Sequence, residues 1–137
     1  MSAASNYTEN KVLDHVLRNT AFTQPSGLHL ALFTNTSGNA ATNLEAGTLT
    51  DEVSTGGTAY GRQSVTFNAA SSGSATSAAT VTFSAATANW GTITHVAIMD
   101  ASTSGNVLFY GAVTTSKTIE TGDTFQVSSG NLTVSLA

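Results

Sequence analysis

Cysteine is absent from this 137-residue chain, and charge nearly so: Lys, Arg, Asp and Glu together make up 9% of it. Without thiols no disulfide can staple the fold, so the core must hold it alone in any redox compartment. A charged fraction well below the usual ~25% leaves few candidates for acid, base or metal ligand. The formal charge is −4, and the cations Lys11, Arg18, Arg62 and Lys117 are spread along the chain, so no basic patch for nucleic acid can form. The same scarcity removes electrostatic attachment to an anionic membrane. No apolar run approaches the ~18 residues that span a bilayer. Met1-Ser-Ala-Ala-Ser5 has no basic n-region followed by an apolar h-region, so no signal peptide is expected, and synthesis in a cytoplasm is.

What is present is 40% hydrophobic residues, set in short alternating runs between Ser, Thr, Ala, Gly and Asn. The length suits one domain, 1–137. Asn6 to Arg18 reads as the one helix, with Asn6 as N-cap, Glu9 completing a capping box and Asn19 as the C′ residue. Val12, Leu13, Val16 and Leu17 form its apolar stripe. Residues 1–19 thus read as an N-terminal arm and helix, the arm before Asn6 being suited to docking.

From Leu28 the period becomes two. Leu28, Leu30 and Leu32 fall on one face of a strand, with His29, Ala31 and Phe33 on the other. Residues 35–61 read as a long polar loop or arm carrying Glu45, Asp51 and Glu52. Val65-Thr-Phe-Asn-Ala-Ala70 and Val81-Thr-Phe-Ser-Ala-Ala86 repeat each other, which predicts two similar strands facing one core, as in a long-looped hairpin. Ile93 to Met99 and Val107 to Val113 are strands around the turn Asp100 to Asn106, the second with a bulge at Gly111. Phe125 to Ser128 and Leu132 to Leu136 complete the set. Short strands with turn signals between them predict a mainly β fold, an antiparallel β-sandwich or jelly-roll-like domain with one N-terminal α-helix packed on an end or edge.

Little here supports catalysis. A serine nucleophile needs a base, and only His15, His29 and His95 are available, on a helix and two strands, with no Gly-x-Ser-x-Gly elbow. Metal-ligand spacings and phosphate-binding glycine fingerprints are missing, so no cofactor is expected. The acids lie in polar loops and turns, where ionised surface carboxylates are the default. Tyr7, Tyr60, Trp90 and Tyr110 are the candidate interaction surface; a sugar-stacking face would centre on Trp90 and Tyr60, against the alternative that these rings are core or subunit contacts.

Ser5 to Leu17, Leu28 to Thr34, Tyr60-Gly-Arg-Gln-Ser-Val-Thr-Phe67, Ala88-Asn-Trp-Gly-Thr-Ile-Thr-His95 and Asn106-Val-Leu-Phe-Tyr-Gly111 together resemble a family of small tailed-bacteriophage proteins labelled "phage tail fiber protein". Ile93 to Val113, with Lys117 and Gly122-Asp123, is also similar to the attachment region of tail-collar fibres. The resemblance implies a non-enzymatic structural protein on the virion exterior, made in the bacterial cytoplasm. Its partners would be other virion proteins, major capsid or tail, and further copies of itself, with a trimer as the family-level expectation. Because no repetitive fibre shaft is visible, capsid decoration is the leading expectation. A tail fibre or attachment role, with a host glycan or receptor as ligand, is the alternative.

Overall fold

Ser5 sets the geometry of the N-terminus. The computed structural model, which describes residues 2–136, places β1 at Ala3–Ala4 and α1 at Asn6–Leu17. Ser5 lies between them in extended conformation (φ −74°, ψ 162°), and its Oγ accepts the Thr8 N–H at 3.3 Å. Ser5 is therefore the cap, one position before the predicted Asn6, which is the first helical residue. The Ser5 hydroxyl also donates to the Val107 carbonyl, and its N–H donates to Leu108 O at 3.0 Å. At the other end Asn19 takes the left-handed conformation (φ 53°) expected of a C′ residue.

The chain continues through β2 (His29–Phe33), α2 (Ala40–Glu45), β3 (Gln63–Ser64), β4 (Ser74–Thr76), β5 (Val81–Thr82), β6 (Gly91–Met99), β7 (Val107–Ile119), β8 (Gln126–Val127) and β9 (Thr133–Ser135). Five strands form an antiparallel sheet in the order β1-β7-β6-β2-β3, and β4-β9 and β5-β8 form two-stranded antiparallel ribbons. The fold is mainly β and sandwich-like, as the alternating runs predict. One face of the sheet presents Leu30, Leu32, Ile93, Ile98 and Leu108 to Val81, Phe83 and Phe125 from the ribbon side. The opposite face presents Ala31, Phe33, Ala97, Met99 and Val107 to Leu44 of α2. Burial on both faces explains why β2 is almost continuously apolar.

Several expectations are corrected by this arrangement. The arm before Asn6 is not free: Ala3 and Ala4 pair with Tyr110 and Phe109 as an edge strand. Segment 35–61 lies against the body rather than extending from it. Ala40 and Leu44, four residues apart on one side of α2, are buried, as are Val53, Thr58 and Tyr60. Sparse apolar residues suffice there because each covers part of a sheet face already built. The repeated strands both face the main core, yet do not pair as a hairpin; β3 joins β2, β5 joins β8, and Phe67 bridges Ser77 instead.

The β6–β7 pair is irregular, but not at Gly111, which pairs in register with Val96. Ile98 opposes Phe109 while Met99 opposes Val107, so Leu108 is the extra residue of a bulge. That bulge lets both Leu108 and Phe109 reach the ribbon-side core. A larger excursion separates the Ile93–Lys117 and His95–Ala112 pairs, and β7 runs on past Val113 to Ile119. Finally, the apolar stripe of α1 faces outward: Leu13, Val16 and Leu17 are 54%, 70% and 74% exposed, whereas Thr8 is buried.

Candidate interaction surface

Tyr60 and Trp90 are core residues, each 5% exposed. Their rings meet edge to face at 5.4 Å, and both contact Phe83, which itself meets Phe125 at 5.8 Å. The Trp90 Nε1–H donates to Thr58 O at 2.8 Å. Neither ring offers a free face to a sugar, so the exposed aromatic cluster that a stacking surface requires does not form around them. Burial was decided by the segment 52–60 closing over the sheet end, which short-range periodicity does not report.

Tyr7 and Tyr110 sit elsewhere. Tyr7 is half-buried, edge to face with Phe22 at 6.2 Å, and Lys11 Nζ lies 5.8 Å from its ring centre. Tyr110 pairs with Ala3 and packs on the α2 side of the sheet. Burial, then the Glu45 and Glu9 carboxylates, raise its phenol above the ordinary value of 10.0. The four aromatic candidates therefore divide between the core and the β1–β7 edge.

A buried polar network closes the loop over the core. Tyr60 Oη accepts Leu32 N–H at 3.1 Å and donates to Glu52 Oε2 at 2.8 Å. The Arg62 guanidinium grips both Glu52 oxygens, at 2.7 and 2.8 Å, and donates to Ala101 O and Ser104 O in the β6–β7 turn. The Arg62 and Glu52 side chains are only 3% and 17% exposed. Burial, then the Glu52 charge, push the Tyr60 phenol far above its ordinary range. The Glu52 hydrogen bond holds Arg62 protonated more firmly than usual. Tyr60 thus stays neutral and Arg62 charged, so the network is a fastening without a free proton donor or acceptor at neutral pH.

Two clefts flank this scaffold. One, of about 710 Å³, is bordered by Thr34, Asn35, Thr36, Asp51, Thr92 and Thr94. Its Asp51 carboxylate is occupied by the Ser37 N–H at 3.0 Å and the Ser37 hydroxyl at 2.5 Å. The cleft offers hydroxyls and amides, which can recognise polar groups by hydrogen bonding, but no free carboxylate pair. The other, of about 560 Å³, runs along β7 from Phe109 to Lys117, facing Phe125, Val127 and Leu132. The histidines do not converge: His29 pairs with Met99 at one end of β2, and His95 pairs with Phe33 at the other, while His15 Nδ1 on α1 accepts Phe22 N–H at 3.1 Å. Burial lowers the His95 pKa below 6.5.

The outward residues Leu13, Val16, Leu17 and Leu136 are the large hydrophobics the described residues expose. The helical stripe was legible in the sequence; its direction was not. A hint was available in the polar Lys11, Asp14, His15 and Arg18 on the other side, which shows that the helix has two differently constituted faces.

The molecule is a hydroxyl-rich antiparallel sandwich whose loops fasten over the core and whose helix α1 turns an apolar stripe outward. The chain belongs to the podophage GP4 fiber I protein (gp80) family, whose model matches residues 3–135. It is thus a phage structural protein of the fiber type. No curated protein sequence matches it.

Proposed function

We propose that this chain is a non-enzymatic component of a tail-associated fibre on the outside of a tailed-phage particle, held there by contacts with other virion proteins. The observation that carries the reading is the match to a fiber family over residues 3–135. It favours the fibre alternative over capsid decoration, which was the leading expectation from the sequence. The occupied carboxylates Asp51 and Glu52 and the dispersed histidines fit a structural role. The resemblance of Ile93 to Val113, with Lys117 and Gly122-Asp123, to collar-type attachment regions fits the same position, with β6 and β7 as the attachment strands.

Antibody-gold labelling of intact particles tests the assignment. Gold on the tail or its appendages is the expected result. Gold spread evenly over the head would overturn it in favour of capsid decoration. A host-glycan role needs a surface other than Tyr60 and Trp90, because replacing either ring would damage the core before it changed adsorption.

A further inference from the structure

The strand β7 has one free edge. β6 pairs with one side of it along its length, but on the other side β1 covers only Phe109 and Tyr110. The Ser5 N–H bonds Leu108 O on that side, so by strand alternation Tyr110 and then Ala112 turn their N–H and C=O the same way. Tyr110 meets Ala3 there; Ala112 is exposed and meets no backbone partner on that side among the described residues. Beyond it the strand bends, because Val113 to Ser116 stand opposite Thr94 alone, between the His95–Ala112 and Ile93–Lys117 pairs.

The groove of about 560 Å³ runs along this edge, and a second free edge borders it. Phe125 O accepts the Phe83 N–H and Val127 pairs with Val81, so Gln126 between them turns its N–H and C=O away from β5. Gln126 is exposed and lines the groove. Main-chain donors and acceptors of β7 and β8 therefore border one gap, together with the apolar side chains of Phe109, Phe125, Val127 and Leu132.

Such a gap specifies its occupant. Unpaired strand edges are completed by another extended backbone, with side-chain pockets setting the choice of sequence. Charge narrows that choice, because Lys117 is the one charged side chain in the lining. Arg18 is paired with Asp14, Arg62 with Glu52, and Lys11 lies over Tyr7. Lys117 is exposed and has no ion pair among the described residues. A lysine on a free edge discourages pairing with a like edge and favours a carboxylate. A second β7 edge would bring the same lysine and the same bend.

We propose that β7 and β8 form an acceptor for an extended, carboxylate-bearing segment of another virion protein, which adds to β7 antiparallel and in line with β1. The virion source of that segment rests on the proposed function; the chemistry of the acceptor does not.

The test uses the isotope-labelled full chain and a synthetic probe, acetyl-Glu-Val-Thr-Val-Thr-Val-amide. In the direction of β1 its Glu falls nearest Lys117. Titration to roughly 10 mM is expected to give saturable amide shifts at Gly111 to Lys117 and Gln126 to Ser128. The same peptide with its backbone nitrogens methylated keeps the side chains and loses the donors, and is expected not to bind. Lys117→Glu should weaken the Glu probe about fivefold and favour its Lys counterpart. Ala112→Pro removes only the outward N–H and should also weaken the probe. Lys117 is exposed, so its variant carries the test should the proline disturb the strand, and circular dichroism checks both. Four results would each overturn the proposal: no saturable shift at those amides, equal binding of the methylated peptide, equal binding of the Glu and Lys probes to the unaltered chain, or the same shifts appearing with protein concentration alone, which would give the edge to a second copy. None of these uses the particle, so gold on the head would overturn the fibre assignment and leave this result standing.

Discussion

At the scale of single residues, the fold relies on a few polar fastenings that an uncharged surface makes conspicuous. Arg62 and Glu52 form the one buried ion pair among the described residues. Removing one partner leaves the other charge stranded, a loss of about 3–5 kcal/mol. Arg62→Met is expected to destabilise by that order in urea denaturation, and adding Glu52→Gln to recover part of it. A double-variant loss equal to the sum of the Arg62→Met and Glu52→Gln losses would show that the pair carries no coupling. Gly105 fastens the same region. It adopts φ +76°, and a Cβ there would lie 2.5 Å from Asp100 Oδ1 and 2.8 Å from Ala101 Cβ. Asp100 is already committed, accepting from Asn106 N at 2.7 Å and Nδ2 at 2.8 Å. Gly105→Ala should therefore cost roughly 1–3 kcal/mol, read from the urea midpoint. His95 adds a pH dependence. Burial lowers its folded pKa below 6.5, so its stabilising contribution is complete above 6.5 and is lost as pH falls toward the folded value. The melting temperature is expected to decline as pH is lowered from 7 through this window (~6.5 and below), and His95→Asn to flatten the decline.

At the scale of elements, legibility followed how locally each element is determined. Leu28 to Phe33 announced itself because its own side chains alternate, and the register with Val96 to Met99 keeps that alternation intact. The helix α1 was visible from its stripe and from Asn19. Its cap moved to Ser5 because tertiary bonds to Val107 and Leu108 fix that residue, and no helical pattern encodes them. The element α2 was not legible, since Ala40-Ala-Thr-Asn-Leu-Glu45 has only Leu44 as a sizeable apolar anchor. The extension of β7 through Thr114-Thr-Ser-Lys-Thr118 was hidden by its polarity. Among the candidate site residues, aromatic identity was legible and exposure was not, because Tyr60 and Trp90 are buried by contacts with segments distant in sequence. Ser5 provides the test at this scale. Ser5→Ala removes the cap bond to Thr8 N and the bond to Val107, and is expected to cost about 1–2 kcal/mol. Hydrogen exchange should speed up first in α1, which touches the sheet mainly through its first turn.

At the scale of the whole molecule, the two apolar clusters are not separate cores. Both are built on β2, β6 and β7, with Leu30, Leu32 and Ile98 pointing to one side and Ala31, Phe33, Ala97 and Met99 to the other. The chain ends are tied to the same body, β1 on β7 and the Ser135 N–H on Ser2 Oγ at 3.0 Å. Losing the cover on one face should therefore loosen the shared strands and, through them, the other face. Trp90, the single tryptophan of the chain, reports the ribbon-side core from 5% exposure, while Leu44 is the anchor of the opposite cluster. Leu44→Ala leaves a cavity far from Trp90 and is expected to cost about 2–5 kcal/mol. Its signature is that Trp90 fluorescence and far-ultraviolet circular dichroism fall to the same lower denaturant midpoint, as one transition. A Trp90 transition that stayed at the wild-type midpoint while the dichroism shifted would mean that the two faces of the sheet unfold independently. The strands β2, β6 and β7 would then be a partition between two cooperative units, and the side-chain alternation in β2 would not couple the clusters it separates.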